Sequence, residues 1–180
     1  SEYDLDSMKS RNILLRRQKH FRFDAICCMK MPELYPGQNC GMTCYYDENT
    51  YIKFAVFATL DEEPRLMLNI VEKIGEEVIT HEGIMVDNSN PYIYLKCETN
   101  YLRRVFSYSY NEKDYKKVAA LDNVYYLCDE GYNKGKRFTG AMIGMYAFAG
   151  TYGSQYTDAE GRHGTDEYYA AFDYFKYIEK

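Results

Sequence analysis

Apolar and polar residues alternate with a period of two along most of this chain, the pattern of half-buried β-strands. Phe21, Phe23, Ala25 and Cys27 alternate with Arg22, Asp24, Ile26 and Cys28, which places one row toward a core and the other partly toward solvent. Residues 41–46 run into the turn cluster Asp47-Glu48-Asn49-Thr50 and then into residues 51–58, a strand–turn–strand hairpin. Residues 65–71, 92–98 and 102–110 read as further strands between Gly, Asn, Asp or Pro clusters, and 115–118 closes a second hairpin. Residues 13–23 and 170–177 read as the first and last strands, and 137–145 as a strand between them. No helical pattern of ten residues interrupts the series, so the chain is expected to be all-β, a two-sheet sandwich. Residues 119–135 read as a surface loop, and the polar stretch 151–167 is longer than most hairpin loops.

Composition sharpens this picture. At 180 residues the chain is the size of one domain, spanning 1–180, with enough length to bury a full core. Its 21 Tyr against no Trp, with few Gly and Pro, favour pleated, half-buried surfaces. A net charge of −5 argues against a nucleic-acid partner, since only Arg16-Arg17 and Arg103-Arg104 approach a basic cluster. No apolar run reaches the roughly 20 residues that span a bilayer, so no membrane partner is expected. Of the six cysteines, Cys27 and Cys28 are adjacent, Cys40 and Cys44 lie close together, and Cys97 and Cys128 sit alone in apolar stretches. Such spacing is no disulfide framework. Buried free thiols and a reducing, cytoplasmic location are expected.

Candidate chemistry is sparse. Glycoside hydrolysis needs two carboxylates held apart across a sugar, but Asp61-Glu62-Glu63, Glu76-Glu77, Asp129-Glu130 and Asp166-Glu167 all lie in polar, turn-like stretches and read as solvated charge. His20, His81 and His163 are scattered, which suits surface roles better than a triad. Metal-ligand spacings such as Cys-x-x-Cys are absent, so neither a metal nor a cofactor is expected. Asp173 could anchor a calcium ion, although an Asp flanked by aromatics more often caps a backbone turn. Tyr45, Tyr46 and Tyr51, with Tyr92, Tyr94, Tyr108 and Tyr110, could present rings to the apolar faces of sugars; alternatively they fill or rim the core.

An ordered set of short segments carries a family resemblance. Ser7-Met8-Lys9-Ser10, Arg16-Arg17-Gln18, Gly41-Met42-Thr43-Cys44-Tyr45-Tyr46, Phe106-Ser107-Tyr108-Ser109, Phe138-Thr139-Gly140-Ala141 and Phe172-Asp173-Tyr174-Phe175 follow one another along nearly the whole chain. Together they resemble the C-terminal concanavalin A-like, jelly-roll β-sandwich of family-43 glycoside hydrolases, the β-xylosidase and α-L-arabinofuranosidase group. Tyr115 stands where that family usually has Trp, and 151–167 is an insertion; both departures bear on substrate class more than on fold.

The resemblance implies a non-catalytic accessory domain with no catalytic residue of its own. Its partner would be a family-43-like catalytic propeller, in the same polypeptide, acting on plant cell-wall oligosaccharide such as xylan or arabinan side chains. It also implies that the turn 133–138 reaches the rim of the propeller's pocket, with Phe138 and the adjacent Arg137 as the residues that touch it. Phe138 could equally be the first core residue of its strand. A stand-alone carbohydrate-binding module using a Tyr face is the alternative from another class, and no enzymatic activity is expected of this chain alone.

Overall fold

The computed structural model describes residues 3–131, 140–150 and 169–180. Its strands are β1 (Ile13–Arg17), β2 (Arg22–Lys30), β3 (Asn39–Asp47), β4 (Thr50–Ala58), β5 (Leu66–Ile74), β6 (Glu77–Thr80), β7 (Ile84–Met85), β8 (Tyr92–Asn100), β9 (Arg103–Ser109), β10 (Lys116–Leu121), β11 (Met142–Phe148) and β12 (Phe172–Glu179). They form a seven-stranded sheet in the order β1-β11-β3-β4-β5-β6, with β7 also on β5, and a five-stranded sheet in the order β10-β9-β8-β2-β12. Neighbours pair antiparallel, as β3 and β4 do from Asn39↔Phe57 to Asp47↔Thr50. The all-β, two-sheet expectation holds.

The core lies between the sheets and follows the period-two pattern. Cys40, Met42, Cys44 and Tyr46 on β3 and Ile52, Phe54 and Val56 on β4 face Phe23, Ala25, Cys27 and Met29 on β2 and Ile93, Leu95 and Cys97 on β8. Phe54 meets Phe106 across the gap, with ring centroids 5.2 Å apart. At roughly 1.5–3 kcal/mol for each large side chain removed from water, this cluster is the main source of stability.

Three expectations need correction. Residues 13–23 are not one strand: β1 belongs to the larger sheet and β2 to the smaller, and Gln18–Phe21 carry the chain between them. Tyr177 stabilises that crossing, because its hydroxyl accepts the Lys19 and His20 backbone N–H groups at 3.2 and 3.3 Å. The outer row of β2 is also buried: Asp24, Ile26 and Cys28 are all under 10% exposed. Flanking side chains close over it, with Lys96 and Lys180 both paired to Asp24. Finally, 119–135 is only partly loop, since β10 continues to Leu121 and short 3-10 turns follow at Tyr125–Leu127 and Asp129–Gly131.

Candidate functional site

The sequence motifs that lie far apart in the chain meet at one end of the sandwich. Gln18, at the end of Arg16-Arg17-Gln18, donates its backbone N–H to the Ala141 carbonyl at 3.0 Å, next to Gly140. Gly140 has φ +67°, and a Cβ there would sit 2.8 Å from the Arg17 guanidinium. The positive φ favours glycine here, whereas the guanidinium, at the end of a flexible side chain, could move aside for a Cβ. Arg104 completes the junction: it is 4% exposed, donates Nη1 to the Tyr101 carbonyl at 2.7 Å and donates Nη2 to the Gln18 side-chain oxygen at 3.1 Å. Arg16 caps the gap between the sheets by lying 4.1 Å over the Tyr177 ring, which itself stacks on Phe23 at 4.4 Å.

From this junction a row of outward-facing side chains crosses the larger sheet. Register pairs Arg17 with Met142, Met142 with Tyr45, Tyr45 with Tyr51 and Tyr51 with Lys73. Directly opposed residues in antiparallel strands share a face. Tyr45 and Tyr51 stack nearly parallel at 6.2 Å. Burial pushes the Tyr45 phenol up to about 12 and raises that of Tyr51 as well.

The N-terminal segment lies along the same outer face. Leu5 is buried against Tyr51, Ala55, Tyr146 and Phe148. Asp4 pairs with Lys53, whose ammonium lies 5.6 to 5.8 Å from the rings of Tyr51, Tyr146 and Phe148. Beneath it, Gly41 lets β3 and β4 approach closely, because a Cβ there would come within 2.4 Å of the Phe54 carbonyl oxygen and 2.7 Å of the Ala55 Cα. Sequence reading missed the Asp4–Lys53 pair. A cation inside the apolar run of β4 was the available signal.

The nominated residues fare unequally. Arg137 and Phe138 lie outside the described residues, as do His163, Asp166 and Glu167. Tyr46 does not serve as a sugar-stacking ring: it points into the core, fully buried, and its hydroxyl donates to Asp129. Tyr51 is closed off by Leu5, leaving Tyr45 as the half-buried member of the trio. The wider set of tyrosines does not form one platform. Tyr94 lies on the outer face of the other sheet, paired with Cys28 and Ser109, and the Tyr110 hydroxyl accepts the Asp87 N–H at 2.8 Å. Asp173 is exposed at a bulge between Phe172 and Tyr174. Among the described residues no group of three His, Cys, Asp or Glu side chains could hold a metal ion, and no helix is long and apolar enough to cross a membrane.

Glu72 accepts the Tyr126 hydroxyl and lies 2.7 Å from His81 Nε2. The described cysteines are all free, five of them buried and Cys128 partly exposed.

Comparison with known proteins decides the family. The family model described as the β-xylosidase C-terminal concanavalin A-like domain matches residues 1–178. The chain belongs to this family. A β-xylosidase of Bacillus subtilis is 28% identical over 98% of this domain, which spans 31% of that protein. For the xylosidase/arabinosidase 43B of Humicola insolens the figures are 27%, 92% and 29%. The crystal structure of the GH43 protein BlXynB from Bacillus licheniformis superposes with a TM-score of 0.80 at 28% identity, covering 99% of the domain and 32% of that chain. The concanavalin A-like domain thus spans about a third of the length of the relatives it matches.

Proposed function

We propose that this domain is the non-catalytic accessory sandwich of a family-43-like glycoside hydrolase, packing on a catalytic propeller in the same polypeptide and shaping the mouth of its sugar pocket. The observation that carries this reading is the match of a C-terminal domain family over residues 1–178, joined to relatives about three times as long. Those relatives are named for xylosidase and arabinosidase activity, so the substrate class is plant cell-wall oligosaccharide: xylo-oligosaccharides or xylan and arabinan side chains. The free, mostly buried thiols suit a cytoplasmic setting.

The disposition of carboxylates supports an accessory role. A glycosidase needs one carboxyl group kept protonated and a second free to act as base or nucleophile. Here Asp4 is paired with Lys53, Asp24 with Lys96 and Lys180, and Asp61 with Arg65, while Glu72 is held by Tyr126 and His81.

Phe138, with Arg137, would supply the rim of the partner's pocket, and Tyr45, half-buried on the outer face of the larger sheet, is a ring with surface to offer a sugar. Gly140 and the Arg17–Met142–Tyr45 row set the direction in which the chain enters β11. In the two-domain enzyme, Phe138→Ala should raise KM or change chain-length preference with kcat within about twofold, since it touches positioning and not bond cleavage. A loss of about 3–5 kcal/mol in stability with unchanged kinetics would make Phe138 a core residue and overturn its assignment. The alternative, a stand-alone carbohydrate-binding module, would have to rely on Tyr45 alone of the nominated trio.

A further inference from the structure

At the opposite end of β3 and β4 from the Tyr45–Tyr51 row lies a cleft of about 900 Å³. Six residues of strand, roughly 20 Å, separate the two. Its size falls within the range of small-molecule sites. Its walls come from the end of β2, the end of β4, the start of β5, β7 and the segment before β8, so the cleft is built where both sheets finish. Pro32, Pro64 and Pro91 line it, three of the four prolines in the chain. Each fixes its own φ, which stiffens the cleft before any ligand arrives.

The lining is chemically mixed. Tyr35, Tyr169 and Met85 supply apolar surface, and Tyr169 is 75% exposed. Glu33 and Asn88 also line the cleft and are exposed, and neither bonds to another described residue. Arg65, by contrast, is taken up by Asp61 at 3.1 Å. The exposed Lys30 also lines the cleft, so the lining carries both signs of charge and selects no ion of either sign; a carboxylate accepts hydrogen bonds from hydroxyl groups, while a carboxamide both donates and accepts. An exposed ring face beside such groups suits the alternating apolar and hydroxyl surfaces of a pyranose.

We propose that this cleft binds a neutral oligosaccharide, with Tyr169 stacking on a sugar ring and Glu33 and Asn88 taking its hydroxyls. Its choice of a β-linked pentose chain as ligand rests on the function proposed above; the cleft itself does not. Xylohexaose is the probe, with maltohexaose as comparison, titrated into the 180-residue chain and followed by calorimetry and by amide NMR shifts.

Saturable binding of xylohexaose, with shifts at residues 33, 88 and 169, is expected. Tyr169→Ala and Asn88→Ala should each weaken it about fivefold or more without lowering the melting temperature. Saturable binding of maltohexaose alone, with the same loss in both variants, would keep the cleft as a sugar site and contradict the pentose choice. Absence of saturation with either sugar, or binding that neither substitution weakens, would overturn the proposal. Such a failure leaves the accessory role intact, because that role is read separately from the kinetics of Phe138→Ala in the two-domain enzyme.

Discussion

Asp4 pairs with Lys53 and so ties the N-terminal segment to the middle of the larger sheet. Leu5 follows it into a pocket of Tyr51, Ala55, Tyr146 and Phe148 and is 1% exposed. The segment is therefore structural. Leu5→Ala should destabilise the domain by about 2–5 kcal/mol, the usual range for a buried Leu→Ala change. Asp4→Asn should cost less, because the pair is partly reached by solvent and surface ion pairs contribute little. Denaturant midpoints measure both, and limited proteolysis of Leu5→Ala should cut first within residues 6–12.

Glu72 and Tyr126 give a second stability prediction. The Tyr126 hydroxyl donates to a carboxylate that also holds His81. Tyr126→Phe should cost about 1–3 kcal/mol, since it leaves a mostly buried charged acceptor with one partner fewer. Glu72→Gln should cost less than Glu72→Ala. Urea titration with an unchanged m-value checks this.

Alkaline pH should destabilise the fold. Burial raises the phenols of Tyr45, Tyr51 and Tyr126 above their ordinary value, that of Tyr45 to about 12. Above about pH 10 the unfolded chain loses these protons while the folded chain keeps them, so stability is intact below that pH and falls as pH rises toward the folded-state values. Absorbance at the phenolate band should therefore show a delayed group of tyrosines that titrates together with the loss of near-UV circular dichroism.

The thiols offer an independent check of packing. Burial raises the Cys27, Cys28 and Cys97 thiols, which suppresses the reactive thiolate. Cys128 is partly exposed. A native titration with a thiol reagent should count one fast-reacting group, and denaturation without reductant should raise the count to six. Two or fewer in the denatured protein would mean that the cysteines are bridged.

Much of the fold was legible because the period-two pattern is strong. The β3–β4 hairpin, β8 and β9 lie close to where alternation places them. Alternation does not by itself reveal where a chain changes sheets: it breaks at the polar run 16–20, just where the crossing occurs, but a polar run does not say that the strands on either side belong to different sheets. It also misses β6 and β7, which are short edge pieces with little burial. At the candidate site, Arg16-Arg17-Gln18 and Gly140-Ala141 were each visible as motifs, but their contact depends on β1 pairing with β11, 124 residues away for Gln18 and Met142. Tyr46 and Tyr51 illustrate a different limit. Strand position tells which face a tyrosine takes, while burial of the outward-facing Tyr51 comes from Leu5, a residue in no strand.

The most direct test of the central claim is turnover of an aryl β-xyloside by the purified 180-residue chain, measured beside the two-domain polypeptide that contains it. The account predicts no turnover by the chain alone and activity in the two-domain protein. Turnover by the isolated chain that a single Asp or Glu substitution within it abolishes would contradict the account.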